Sequence, residues 1–250
     1  MVVQDWGGME LLQVFEDEGR ELVKLTRKAE AARPVPECPD WTAADLVRHL
    51  TGVYRMVGLT VAEGRSERPS RAELAGDDTD PVSGLAEAHA RVVRLLDEAP
   101  AELSCWTLWP APNAREYWIR RMAYETLVHR VDLQNAISGT TRGSAGVEPE
   151  IAADGVDEMV TGFAQRYRGR LRAPVPSTIS LSDTDTGRRW WIRLGPAEPE
   201  FGRGEIAAGT EVTARGGELL LLLWNRRTWD GLAVAGDEAP LRLWRSDAHL

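Results

Sequence analysis

Arg115 to Ala136 reads REYWIRRMAYETLVHRVDLQNA, and the fold of the first half of the chain turns on this stretch. It contains neither Pro nor Gly and follows the breaker-rich APN of Ala111 to Asn113. Its apolar positions, Trp118, Met122, Leu127, Val131 and Leu133 with Tyr124 and Val128 between them, predict a buried or amphipathic helix. Glu125 and His129 stand four residues apart within it. At about 3.6 residues per turn they share one face, one turn apart, so both can reach a single cation. The competing reading is an ordinary helical Glu/His contact, contributing about 0.2–0.5 kcal/mol. Two residues alone do not decide between the readings.

A third candidate lies further forward. Met9 to Ala31 is predicted as a first helix, with Leu11, Leu12, Phe15, Leu22, Val23 and Leu25 forming its apolar stripe. A Pro-rich connection, PVPECPDW, leads to Thr42–Asp45 (TAAD), a capping box in its Asp form with Trp41 as a hydrophobic staple. Trp41 and Asp45 are read as a packing residue and a cap. The second helix is predicted to run to about Gly58, with Leu46, Leu50, Val53 and Val57 inward. His49 sits on or at the edge of that face. A lone His there is commonly a satisfied core residue, yet helix bundles build metal sites from polar side chains projecting inward from facing helices. His49 with Glu125 and His129 makes a His2Glu set, which suits Zn with one position open for water or a substrate thiol.

Glu63 to Asp80 is polar and breaker-rich and reads as a loop. Val82 to Ala99 is predicted as the third helix, with Leu85, Ala88, Val92, Leu95 and Leu96 inward. His89 beside that stripe has no partner at ligand spacing and is assigned a surface or packing role. Trp106 and Trp109, in the loop before the organising helix, either line a pocket mouth or cap the bundle. Four helices with short to medium connections predict an up-down four-helix bundle.

Ser138 to Gly146 (SGTTRGSAG) is the clearest boundary in the chain. Beyond it Pro149 to Tyr167 reads as a helix. Ser177–Ser182 and Arg189–Leu194 alternate at period two around a hairpin signal, DTDTGR. Thr210–Ala214 is a third strand, and Leu232–Val234 is a candidate fourth. Gly217–Trp224 opens a buried helix, and Pro240–Arg245 is a last short helix or turn. The expected architecture is therefore two domains, residues 1–142 and 147–250, the second a small α+β unit with helices on one face of an antiparallel sheet.

The bulk properties are those of a soluble globular protein: 250 residues, 43% hydrophobic and 28% charged. A net charge of -9 argues against nucleic acid or an anionic membrane as the main partner. The longest apolar run, Leu219–Trp224, is too short for a membrane span. MVVQDWGGME has no basic region followed by an apolar one, so no secretory signal is expected. Cys38 and Cys105 are not in CxxC spacing, and a reduced, cytoplasmic protein is expected. Ten tryptophans are unusual, and several lie near the proposed site segments, where large rings can wall a pocket.

The run VPECPDWTAADLVRHL, Val35 to Leu50, resembles the start of the second helix in the mycothiol-dependent maleylpyruvate isomerase family. RRMAYETLVHRVDLQNA, Arg120 to Ala136, resembles that family's Glu-xxx-His helix with its trailing His-Arg-x-Asp. GELLLLLWNRR, Gly217 to Arg227, followed by LAVAGD, is similar to its closing motif. The resemblance covers both halves. It implies a DinB-like four-helix metal domain followed by a domain similar to sterol carrier protein 2. It places His49, Glu125 and His129 on the metal ligands, and Arg226 or Arg227, with Arg226 preferred, on a catalytic Arg. Asn225 stands where the family usually has Gly, a residue with wider conformational freedom. Asp132 either orients a ligand His or pairs with Arg130 or Arg121.

The chemistry the resemblance implies is a thiol-dependent isomerase or S-transferase, with a divalent cation, zinc by preference, and mycothiol as co-substrate, as in actinobacteria. A cation favours the thiolate over the thiol near neutral pH. The thiolate adds to an electrophilic small molecule, and rotation about the saturated bond followed by loss of the thiol gives cis-trans isomerisation. Arg226 would clamp a substrate carboxylate at the domain interface; as a plain structural residue it would instead interact with a helix C-terminus. The alternatives are a metal-dependent hydrolase or other small-molecule transferase on the same bundle, and a non-catalytic ligand-binding or regulatory protein. A monomer or weak homodimer is expected. Other motifs fail: Gly202–Ala207 matches GxGxxA only superficially, since a strand follows it. There is no P-loop, GxSxG or HExxH.

Overall fold

The computed structural model describes residues 11–74, 80–141 and 143–248. The start of the first predicted helix, at Met9 and Glu10, and residues 75–79 of the predicted loop lie outside them. Two compact units divide the chain, Glu10–Thr141 and Arg142–Leu250.

The first unit consists of α1 (Leu11–Thr26), a two-stranded antiparallel pair β1 (Pro34–Val35) and β2 (Cys38–Thr42), and α2 (Ala43–Glu63), α3 (Pro81–Glu98) and α4 (Ala114–Ser138). α1 packs chiefly on α4 and α3, and α2 on α3 and α4. The order around the bundle is therefore α1–α3–α2–α4, and β1 and β2 lie in the connection that spans its diagonal. The apolar stripes meet as their spacing predicts: Phe15 and Leu22 of α1, Leu46, Leu50 and Val57 of α2, Leu85, Val92 and Leu96 of α3, and Trp118 and Met122 of α4 are all buried. Each such side chain contributes about 1.5–3 kcal/mol relative to exposure.

Local chemistry sets where these helices begin and end. Thr42 opens α2 as a capping box: the Asp45 backbone N–H donates to Thr42 Oγ1 at 3.3 Å, and the Thr42 N–H donates to Asp45 Oδ2 at 2.9 Å. α2 does not stop near Gly58 as expected. It runs five residues further, to Glu63, and ends at Gly64 in the left-handed conformation. Asn113 caps α4 by accepting from the Glu116 N–H at 3.0 Å, and Gly139 closes it. α4 has no solvent face along most of its length. Arg121 through Leu133 are all buried, among them Arg121, Glu125, His129, Arg130 and Asp132. Such groups are tolerated only when paired, and their pairing creates the site described below.

The second unit carries α5 (Pro149–Thr161), a 3-10 helix (Phe163–Tyr167), five strands and two further helices, α6 (Gly216–Leu223) and α7 (Ala239–Asp247). The strands are β3 (Ser177–Asp183), β4 (Arg189–Leu194), β5 (Glu200–Arg203), β6 (Thr210–Ala214) and β7 (Ala233–Gly236), in the order β5-β4-β3-β6-β7. Three of the four pairings are antiparallel. β3 and β6 run parallel, with Ile179 opposite Thr210, because the chain crosses from the edge strand β5 to the far side of β3. Trp190, Ile192 and Leu194 of β4 alternate with exposed or half-buried neighbours, as do Thr210, Val212 and Ala214 of β6, the mark of a sheet covered on one face. Buried Asp157 of α5 ties helix to sheet. It accepts from Trp190 Nε1 at 3.0 Å and from Arg203 Nη2 at 2.7 Å. The GxGxxA stretch starts in β5 and leads to β6, with no helix after it. Among the described residues no helix is long and apolar enough to cross a membrane.

Candidate metal centre

α2 and α4 together place His49, Glu125 and His129 so that one ligating atom from each lies within 4.8 Å of the other two. His49 Nε2 is 3.1 Å from Glu125 Oε1, and His129 Nε2 is 3.5 Å from the same oxygen. The His49 and His129 rings are 5.0 Å apart, nearly edge to face. Zinc bond lengths near 2.0–2.1 Å put neighbouring tetrahedral donors about 3.3 Å apart, so the two short separations match what one ion requires. Two imidazole nitrogens and one carboxylate oxygen also form the donor chemistry of a three-ligand zinc site. Among the described residues this is the one set of three or more His, Cys, Asp or Glu side chains that converges in this way.

The surroundings hold two of the three donors from behind. His129 is buried, and its Nδ1–H donates to Asp132 Oδ2 at 2.9 Å, leaving the Nε2 lone pair directed at Glu125 and His49. Of the alternatives for Asp132, the orienting contact is formed. Arg130 instead donates to Glu18 of α1 at 2.6 Å, and Arg121 pairs with Glu125. Arg121 Nη2 donates to Glu125 Oε2 at 3.2 Å. Burial pushes the Glu125 carboxyl up, but hydrogen bonds to His129 and His49 and the charge of Arg121 outweigh it and hold the group well below the usual range. Burial opposes charge on His129, yet its hydrogen bonds to Asp132 and Glu125 prevail and raise its pKa. Beside the site the Tyr54 hydroxyl meets Thr126 Oγ1 at 2.7 Å, a buried tie between the same two helices.

The access side is formed by His49 and Trp41. The His49 side chain is 33% exposed, against 10% for Glu125 and 2% for His129, so the centre opens where His49 stands. Trp41 lies with its ring centroid 4.8 Å from that of His49 and 6.2 Å from that of His129, nearly parallel to the latter. The sequence assigned Trp41 a packing role and offered Arg121 only as a possible partner of Asp132. Trp41 does pack, but against the two imidazoles. Arg121 carried a visible signal, its place one turn before Glu125 on the same stripe.

The remaining candidates have partners of their own. His89 is buried rather than on the surface, and its Nε2–H donates to the Phe15 carbonyl at 3.1 Å. It borders a groove of about 710 Å³ between α1 and α3, whose other described linings supply no set of ligands. Trp106 and Trp109 cap the bundle: Trp118 Nε1–H donates to the Trp106 carbonyl, and Trp109 meets Tyr117 edge to face. In the second unit, Arg226 is buried just beyond α6, where its Nη1 donates to the Trp224 carbonyl at 2.9 Å. That contact is of the helix-end type. Arg227 is committed to Glu218 at 2.9 Å and to the Gly143 carbonyl. Asn225 has φ +59°, the one positive-φ residue other than Gly among those described.

Comparison with known proteins finds matches in both units. Residues 12–134 match the family model described as the mycothiol maleylpyruvate isomerase N-terminal domain, and residues 150–242 match the corresponding C-terminal domain. Among solved structures, a mycothiol-dependent maleylpyruvate isomerase superposes with a TM-score of 0.62 at 14% identity, covering 90% of this chain and 92% of that one. A histidine-to-alanine variant of that isomerase gives the same figures. At this identity the likeness speaks to fold. No match is found among curated proteins.

Proposed function

The chain belongs to the mycothiol-dependent maleylpyruvate isomerase family, matching the models of both its domains, and from that premise we propose that it is a metal- and thiol-dependent enzyme acting on an electrophilic small molecule. The observation that carries the reading is the meeting of His49, from α2, with Glu125 and His129, from α4, at ligand spacing. Zinc is the cation the donor set favours. A divalent cation held there supplies the positive charge that favours a thiolate over a thiol near neutral pH.

The roles of the residues follow from their surroundings. Glu125 and His129 are the buried, fixed side of the centre, and Asp132 keeps the His129 proton on Nδ1. His49, the more exposed donor, borders the path by which mycothiol enters. The Trp41 ring walls that path and shields the imidazoles from water on one side. Arg226 is proposed to bind a carboxylate of the substrate. Isomerisation through reversible thiol addition, and thiol transfer, are both served by this arrangement; the cytoplasm, with its reduced thiols, is the compartment it suits.

The test is the metal content of the purified protein together with turnover of maleylpyruvate with and without mycothiol. About one equivalent of zinc and thiol-dependent turnover are expected. His49→Ala should lose both while keeping the helical circular dichroism of the wild type. Unchanged metal content in that variant would remove the catalytic reading, and turnover undiminished without the thiol would point to metal-bound water chemistry instead.

A further inference from the structure

Arg121, Glu125 and His129 lie on one stripe of α4 at successive turns, and Asp132 follows three residues later. All four are buried, Arg121 to 1% exposure. The two oxygens of Glu125 have different partners. Oε2 accepts from Arg121 Nη2 at 3.2 Å, while Oε1 is the atom 3.1 Å from His49 Nε2 and 3.5 Å from His129 Nε2. Arg121 stands on one side of the carboxylate and the two imidazoles on the other.

We propose that Arg121 is a positioning residue of the centre: it retains Oε2 so that Glu125 offers only Oε1 to a bound cation, keeping a coordination position open for the incoming thiol. This rests on the metal reading above. A carboxylate released from such a partner can turn both oxygens toward one cation, as carboxylates do in calcium sites. That would occupy the position a catalytic site must leave open. The pairing of Arg121 with Glu125 Oε2 parallels that of Asp132 with His129 Nδ1, so each donor from α4 is held through its other polar atom by a residue of the same helix.

Charge and orientation act in opposite directions here, and that makes the idea testable. A guanidinium this near a cation site opposes binding by repulsion. If charge were its only influence, removing it would tighten zinc. If it orients Glu125, removing it should weaken zinc by about 10–100-fold, the usual range for partners of metal ligands.

The experiment measures zinc affinity by chelator competition, and visible absorption of the cobalt(II)-substituted protein, for wild type, Arg121→Met and Arg121→Lys. Expected is the loss just given for R121M, with weaker cobalt bands as coordination number rises. R121K, which returns a donor but as a point charge, should fall between R121M and wild type. Should R121M fail to fold, R121K decides: a measurable loss supports the proposal and wild-type affinity overturns it. Tighter zinc in R121M, or wild-type affinity and spectrum in folded variants, reduces Arg121 to a structural ion pair. A wild type that takes up neither ion overturns the metal reading and this inference together, whereas the other negative outcomes overturn this inference alone.

Discussion

The Nδ1–H of His129 donates to Oδ2 of Asp132 across 2.9 Å, and both side chains are buried in α4. The contact fixes the ring angle and the tautomer together, since a proton held on Nδ1 puts the ligating lone pair of the neutral ring on Nε2. Asp132→Asn keeps the shape and removes the charge that holds this proton. Zinc affinity of D132N is expected to fall by about 10-fold or more, with unfolding still cooperative. Competition with a chromophoric chelator measures the first and urea denaturation the second. Unchanged affinity would mean that packing alone orients the ring.

The cap of α2 bears on the same centre, because the helix that Thr42 opens delivers His49 two turns later. Thr42→Ala removes the acceptor for the Asp45 N–H and is expected to cost about 1 kcal/mol of stability. Amide exchange should speed up in the first turn of α2 and not in α4. Zinc affinity should fall less than in D132N, because His49 lies beyond the turn that frays.

Gly19 of α1 faces the edge of His89 on α3 so closely that an ideal Cβ on Gly19 would fall 2.0 Å from Nε2. The ring has little room to retreat: Phe15 and Tyr54 pack against it at 4.7 and 5.6 Å, and Nε2 is tied to the Phe15 carbonyl. Gly19→Ala is expected to cost about 1–3 kcal/mol through overpacking. His89→Ala removes the obstruction, so the double variant should be more stable than the sum of the single losses predicts. Additive losses in a denaturation cycle would show that the two helices move apart freely.

How much of this was legible from the chain depends on the range of the interaction. The four N-terminal helices and β3, β4 and β6 are local patterns, and they form within a few residues of where periodicity, caps and turns place them. β1 and β2 escaped because Pro34, Pro36 and Pro39 crowd a stretch whose pairing is only a few residues long, and β5 because EFGR is four residues with a Gly. The parallel pairing of β3 with β6 leaves no trace in either strand's alternation. At the centre, the spacing of Glu125 and His129 was readable, and so was His49 at the edge of the inward stripe of α2, where the family-like motif also places a ligand. The burial of Arg121 and the contact of Trp41 with both imidazoles arise only when α2, β2 and α4 come together. Asn225, noted as a departure from the usual Gly, does lie at positive φ.

His89 should also leave a mark on the pH dependence of stability. Burial pushes its imidazole below the ordinary value, and the hydrogen bond to Phe15 and the nearby Glu16 only partly offset this. The unfolded chain then binds the proton more readily than the folded one. The contribution is fully present above about pH 6.5 and is lost as pH falls toward the lower folded value. His129, with its pKa raised, contributes in the opposite sense, being lost as pH rises. The difference between wild type and His89→Gln therefore isolates the first effect. In urea titrations of the zinc-free protein from pH 7.5 to 5, all approximate working values around that crossover, the stability advantage of wild type over H89Q should narrow as the solution becomes more acid. A gap that stayed constant would mean that His89 titrates alike in both states.

Asn225 holds the turn between α6 and Arg226. Its φ of +59° lies in the region that costs L-residues roughly 1–2 kcal/mol, which Asn tolerates better than most, and its side-chain amide donates to the Ala248 carbonyl at 2.8 Å. Asn225→Ala keeps the backbone strain without the tolerance and loses the hydrogen bond, so a destabilisation of about 1–2 kcal/mol is expected. Asn225→Gly loses the same bond but not the conformational ease, and should lie closer to wild type. Because Arg226 is the next residue, the same backbone sets where its guanidinium starts. If Arg226 binds the substrate carboxylate, N225A should raise KM more than it lowers kcat, and N225G should do so less. A ranking with Gly below Ala in stability would show that the tie to Ala248, rather than the left-handed backbone, governs this turn.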